Sequence, residues 1–292
     1  MKLVTPSIAS CLVGIAMFAG CDVPQFSATQ VFEKTIPINS VVDVIAETHN
    51  GSIEVSPCES QEIQLVAHLK SYGNTQEEAD SRLDSLIPQI ETTDGSVTIH
   101  ANKSTERLFS MDSVRYELKV PSSWPVRLVT SNGKITSNGN RGPVTIKTSN
   151  GRIKVSNAIG SIEAVTSNGA ISIEDSLGKV QAKSSNGSIK LENCTLDGDS
   201  RLRTSNGSIE VLLSPITTVS IKASTSNGSI RFDDQEVEAK QKSSRSLNAL
   251  MHGSSESIGQ TVQLELGTSN GSITIKKKHE TNGSIRVEKT DL

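Results

Sequence analysis

Seven glycines stand nine residues apart along the middle of the chain: Gly133, Gly142, Gly151, Gly160, Gly169, Gly178 and Gly187. Ser-Asn precedes every second one, so Ser-Asn-Gly returns every eighteen residues, at Asn132, Asn150, Asn168 and Asn186. The series continues with looser spacing at Asn206, Asn227 and Asn270, with a shortened copy at Asn282 and an early outlier at Asn50. A fixed period of this length marks a chain that stacks one small unit on itself. It constrains architecture strongly and chemistry hardly at all.

Two positions after the strict-region glycines stand Ile135, Val144, Ile153, Ile162, Ile171, Val180 and Ile189. Four positions after them stand Ser137, Ile146, Val155, Ala164, Ile173, Ala182 and Leu191, with polar residues such as Arg152, Lys154, Glu163 and Lys190 between. Alternation of this kind is a strand with one face buried and one in water. Each half-unit is then a short strand and a turn, and two halves make a coil of ~18 residues. The predicted fold is all-β, a β-solenoid.

The two turns of a coil differ. One is always Asn-Gly, where glycine accepts positive φ and asparagine tolerates a left-handed conformation. The other varies, as Asn140-Arg141, Ala158-Ile159 and Ser176-Leu177. Length changes fall on this second side when the Asn spacing grows to 20, 21 and then 43 residues. Insertions in solenoids commonly gather on the binding face. Another column stands three residues before each repeat glycine: Thr48, Thr130, Thr148, Thr166, Ser184, Thr204, Thr225 and Thr268. Coils stacked in register at about 4.8 Å would lay Asn on Asn and Thr on Thr, and roughly eight coils would span about 40 Å. Stacked Asn amides can bond along the axis. Asn-Gly between alternating strands is equally a hairpin signal, so an antiparallel meander shares the same parity. The recurrence of identical residues at one interval favours the solenoid.

The ends read differently. Lys2 opens residues 1–20, an apolar run through Leu12, Ile15 and Phe18 follows, and Ala19-Gly20 leads to Cys21. The run is too short to span a bilayer and reads as a signal peptide. Phe-Ala-Gly-Cys resembles the lipobox of bacterial lipoproteins, with Cys21 the acylated first residue. Phe18 stands where that motif usually has Leu. Residues 21–34 read as a tether, 35–125 as an N-terminal β part with one short helix, and 126–290 as the repeat array. The Ser-rich, aperiodic stretch 233–258 reads as a loop or insertion. Thr75-Gln-Glu-Glu78 is a capping-box start, and Ala79, Leu83 and Leu86 share one helical face. Pro88 predicts an end at or before Leu86.

Net charge is -3, which suggests no nucleic-acid partner. Aromatics are 3% of residues, so the repeat core is aliphatic and sugar-stacking platforms are scarce. The turns lack the paired glycines and Asp of calcium β-rolls. His49, His68, His100, His252 and His279 share no ligand spacing, and no Cys/His metal cluster is present. Cys58 and Cys194 lie far apart, with no spacing that supports a bridge. Asp233-Asp234 is the one acidic pair near the insertion and reads as a solvated loop; Lys276-Lys277-Lys278 reads as a solvated strand edge. The Thr column could form a regular hydroxyl row for ice or sugar, although Thr is common on sheet faces.

Asn50-Gly-Ser-Ile-Glu-Val, the Thr75-Gln-Glu-Glu-Ala helix start, Val120-Pro121 and the repeated Thr-Ser-Asn-Gly-x-Ile carry a resemblance over residues 35–290. The chain resembles the toastrack domain, also called the putative adhesin domain, of bacterial envelope proteins. The resemblance implies a single-stranded right-handed β-helix, envelope placement, and roles in adhesion or envelope-stress sensing. It supplies no catalytic residues and no cofactor. The reading is a non-catalytic structural or adhesion-like module, held to the membrane by lipid at Cys21, with an envelope protein or surface polysaccharide as partner. An envelope-stress sensing module is the alternative, and a polysaccharide-acting enzyme the third class. The variable edge and residues 233–258 are the expected partner surface.

Overall fold

The computed structural model describes residues 26–38, 40, 42–101, 111–214, 217–233, 238–252 and 261–277. Strands β1 (Phe26–Pro37), β2 (Asp43–Glu47), β3 (Ile53–Cys58) and β4 (Glu62–Gly73) precede helix α1 (Gln76–Ser85). After it come β5 (Gln89–Thr92), β6 (Ser96–His100) and β7 (Ser113–Pro121). The array continues with β8 (Val126–Thr130), β9 (Ile135–Asn138), β10 (Val144–Thr148), β11 (Ile153–Ser156), β12 (Ile162–Thr166) and β13 (Ile171–Glu174). Then follow β14 (Val180–Ser184), β15 (Ile189–Cys194), β16 (Ser200–Thr204), β17 (Ile209–Leu213), β18 (Val219–Thr225) and β19 (Ile230–Asp233). The last strands are β20 (Glu238–Lys242), β21 (Ser246–Met251), β22 (Val262–Thr268) and β23 (Ile273–Lys277).

Each coil of the array contributes one strand to each of two long sheets. β9, β11, β13, β15 and β17 lie in an 11-stranded sheet, and β8, β10, β12, β14 and β16 in a 12-stranded one. Neighbours are parallel and one repeat apart: Val144 pairs with Ile162, and Ile153 with Ile171. The Asn-Gly turns therefore carry the chain from one sheet to the other and close no hairpin. That decides against the meander. Inward positions repeat along the axis, so Ile135, Ile153, Ile171, Ile189, Ile209 and Ile273 form one buried aliphatic row.

Coils do not stack in chain order at either end. β22 lies between β16 and β18, and β23 between β17 and β19. The last coil in sequence is thus inserted below the one that precedes it. At the other end β8 and β9 stack on β2 and β3, while β6 and β7 lie on the outer side of that first pass. The repeat is uniform enough that a coil fits either neighbour.

Antiparallel strands finish three of the four sheet ends. β4 and β1 close the 11-stranded sheet beyond β7, and β5 closes the 12-stranded sheet beyond β6. At the opposite end, β21 and β20 extend the 12-stranded sheet beyond β18. Two expectations are corrected here. The supposed tether is mostly strand, because β1 pairs along its whole length with β4 and turns Ala28 and Ile36 into the core. Only two of its side chains are buried, which hides the alternation. The stretch 233–258, read as a loop or insertion, is no plain loop: it contains a hairpin, with Leu247, Ala249 and Met251 of β21 buried. Serine-rich flanks masked that period-2 pattern.

The helix forms as expected. Thr75 Oγ1 accepts from Glu78 N at 3.1 Å, and Glu78 Oε2 accepts from Asn74 N at 2.9 Å, one residue earlier than a standard capping box. The last helical residue is Ser85, with Leu86 as C-cap. Ala79 and Leu83 are buried as α1 packs on β4 and β1, and Ser71 Oγ donates to Ala79 O at 2.6 Å.

Candidate functional site

The Ser-Asn-Gly edge is occupied by stacking. Asn side chains bond in one file: Asn132 Nδ2 donates to Asn50 Oδ1, Asn150 to Asn132, Asn168 to Asn150 and Asn186 to Asn168. Distances in this stretch are 2.6–2.7 Å. The file continues through Asn206 and Asn270 and ends with Asn227 donating to Asn270. Its order follows the spatial stack rather than the chain.

The glycines of this turn serve a different purpose from the one expected. Gly151, Gly169 and Gly187 are not at positive φ. A Cβ on Gly169 would instead lie 1.7 Å from Gly151 O, inside the backbone of the coil below. Close approach demands glycine here. The Thr column is buried, so it offers no row of hydroxyls to a ligand. Thr166 Oγ1 donates to Gly151 O and accepts from Gly169 N, both at 3.2 Å. Ser184 does the same one coil on, at 3.1 and 2.9 Å. Thr, Asn and Gly together staple each coil to the one beneath.

The second edge is more regular than its sequence suggests. Gly139, Asn157, Asp175 and Asn193 all sit at positive φ (76°, 53°, 48° and 54°), eighteen residues apart. Asn157 Nδ2 donates to Asn138 Oδ1 at 2.8 Å, and Asn193 Nδ2 to Asp175 Oδ1. Asn and Asp tolerate this conformation best among residues with a side chain. That column was the signal in the sequence that the glycine ladder obscured. Beyond it, short parallel bridges join Ile159 to Leu177 and Leu177 to Thr195. Ile159 and Leu177 are 40% and 42% exposed, which places two large aliphatic side chains side by side in water.

The outward sheet faces are polar and charge-paired. Lys154 Nζ lies 2.9 Å from Glu174 Oε2, and this bond, with one from Ser172, holds the Glu174 carboxyl below the usual range. On the other sheet Arg203 and Arg201 both engage Glu265, and likewise lower its carboxyl. These contacts tie the inserted coil to its neighbour.

The remaining sequence candidates are dispersed. Cys58 is a half-buried free thiol, and Cys194 a buried one pushed up to about 11 by burial. His68 Nε2 lies 3.2 Å from Glu117, and His100 Nε2 3.1 Å from Gln89 Oε1. Among the described residues no three His, Cys, Asp or Glu side chains gather to hold a metal. Lys276 and Lys277 end β23, and Asp233 ends β19. Cys21, Asp234, Lys278, His279 and Asn282 lie outside the described residues.

The family model Toastrack DUF4097 matches residues 15–276. A crystal structure of a candidate cell-adhesion protein from Clostridium sporogenes is similar at 12% identity and a TM-score of 0.42, covering 86% of this chain and 100% of that one. A candidate adhesin from Bacteroides fragilis is 11% identical, with a TM-score of 0.41 and coverage of 85% and 97%. A candidate lipid-binding protein from Parabacteroides distasonis is 14% identical, with a TM-score of 0.42 and coverage of 85% and 96%. No curated protein matches the chain.

Proposed function

Since the chain belongs to the Toastrack DUF4097 family, we propose that it is a non-catalytic, adhesion-like binding module of the bacterial cell envelope. In this reading its coils wind right-handedly, and it is held at the membrane by lipid on Cys21. The observation that carries the binding reading is the division of labour between the two edges. Asn, Gly and Thr of the repeated turn are consumed by coil-to-coil contacts. Ile159 and Leu177 stand exposed on the other edge, on a backbone locked by the left-handed column. Adjacent exposed aliphatics on a rigid base suit a protein or surface-polymer contact. On the hairpin of β20 and β21, Leu247, Ala249 and Met251 are core, so a partner contact there would use the opposite face of β21.

Ile159→Asp with Leu177→Asp tests the surface. Binding to envelope preparations, measured by pull-down with the purified chain, should fall at least ~10-fold, with an unchanged melting curve. Undiminished binding would sink the proposal. For the anchor, Cys21→Ser should move the protein from the membrane to the soluble fraction; unchanged partitioning removes the lipid. No helix among the described residues is long and apolar enough to cross a membrane.

A further inference from the structure

The four outermost strands of the two sheets are not alike. β5 and β19 have four residues each, and β20 has five with a register shift between Ala239 and Gln241. Ile230 N of β19 also donates to Ser244 O, at 3.1 Å. Short, kinked or covered edges resist pairing with another chain. β1 is different: it runs twelve residues and pairs with β4 without a break. Among the described residues nothing bonds to the backbone on its outer side.

The pairing fixes which groups face that side. Ile38 N donates to Gln61 O at 3.3 Å, and these two residues continue the register of Ile36 with Ile63. Antiparallel pairs alternate between bonded and non-bonded, so the even residues of β1 bond to β4. The odd ones turn N–H and C=O outward: Ser27, Thr29, Val31, Glu33 and Thr35. All five side chains are exposed, Val31 at 53%, and so is Phe26 at 41%. Pro37 is also odd, and it has no N–H to offer.

This edge is complementary to itself. Bonded pairs must join odd residues with odd, which leaves few registers for a second copy added antiparallel about a two-fold axis. With Val31 opposite its own copy, residues 26–36 are paired throughout and Pro37 falls just outside. The two exposed valines meet at the axis, each Phe26 lies opposite Ile36, and each Glu33 lies opposite Thr29. The neighbouring registers are poorer. Val31 opposite Glu33 makes Ser27 the partner of Pro37, which cannot donate. Val31 opposite Thr29 sets Phe26 against Lys34 and carries residues 35 and 36 beyond the end of the partner strand.

We infer that β1 is a docking strand for a second copy of this chain, added antiparallel with Val31 on the two-fold axis, so that the two 11-stranded sheets become one. The same patch serves both copies, so the contact closes on itself. It occupies the one long, regular sheet edge that the described residues leave unpaired.

Sedimentation equilibrium tests this on the purified chain with Cys21→Ser, so that no lipid at that residue drives association. A monomer–dimer equilibrium is expected, and hydrogen exchange at the five outward amides should slow at least ~10-fold as the dimer forms. Val31→Lys sets like charges face to face at the axis and should weaken the dimer at least ~10-fold. Thr29→Lys sets a new cation opposite each Glu33 and should tighten it ~3-fold or more. Both positions are exposed in the monomer, so neither change disturbs its fold. A monomer mass at every concentration up to about 0.3 mM overturns the inference. So does a dimer that Val31→Lys leaves unchanged or that Thr29→Lys weakens. Edge amides protected in a monomer only after envelope protein is added also overturn it, because the edge then takes another protein's strand.

Discussion

Replacing Thr166 by valine keeps the branched shape and deletes one hydroxyl from the middle of the stack. That hydroxyl is 2% exposed as part of its residue, donates to Gly151 O and accepts from Gly169 N. Its loss leaves a carbonyl of one coil and an amide of the next without their side-chain partner. Two net hydrogen bonds sum to about 1–3 kcal/mol, and two stranded buried groups to about 2–6, so the expected loss is about 2–4 kcal/mol. Thr166→Ser is the control, because Ser184 makes both bonds at the equivalent place. It should lose only the methyl contact, about 1 kcal/mol. Urea unfolding measures the difference, and exchange of the Gly169 amide localises it if the stack unfolds in segments. A valine variant within about 0.5 kcal/mol of the serine variant would refute the staple, since the threshold lies below any net pair of bonds.

Gly169→Ala should be far worse, beyond about 4 kcal/mol or unfolded outright on expression, because the added carbon lands on backbone rather than on a movable side chain. Asn168→Asp keeps an acceptor for Asn186 but loses the donor to Asn150 and faces its oxygen. Repulsion requires the ionised carboxylate, so the variant's stability deficit should be present at neutral pH and shrink as pH falls through the carboxylate range; a pH-independent deficit contradicts the ladder. Burial raises the Cys194 thiol to about 11, so its thiolate is scarce at pH 8. Alkylation at that pH should label Cys58 in the native protein and Cys194 only after denaturant is added, which mass spectrometry of the peptides reads directly.

The parts of this fold that rest on local rules were legible. Nine-residue glycine spacing and period-2 alternation implied strands of the right length. The capping residues Thr75 and Glu78 marked a helix that ends where Pro88 requires. Asn stacking followed from one residue recurring at one interval. Readings that depended on what lies opposite a residue fared worse. In sequence the glycines of Ser-Asn-Gly suggest positive φ, whereas the coil below them is the reason for their smallness. The Thr column reads in sequence like a possible hydroxyl surface, yet it is buried. The second turn looked free to vary because Gly139, Asn157, Asp175 and Asn193 satisfy one backbone requirement with three residue types.

On its own, the sequence determined the unit: a strand, a locked turn, a second strand, and an aliphatic row that must face inward. It could not determine the order of the units. The Asn file runs from Asn206 to Asn270 to Asn227, and β6 with β7 lie outside β2 with β3. Near-identical repeats present the same aliphatic row and the same Asn and Gly groups to any neighbour, so no local signal separates one stacking order from another. Only the closed tertiary structure does, where the hairpin of β20 and β21 occupies the place beyond β18 and the final coil takes the remaining one beneath it.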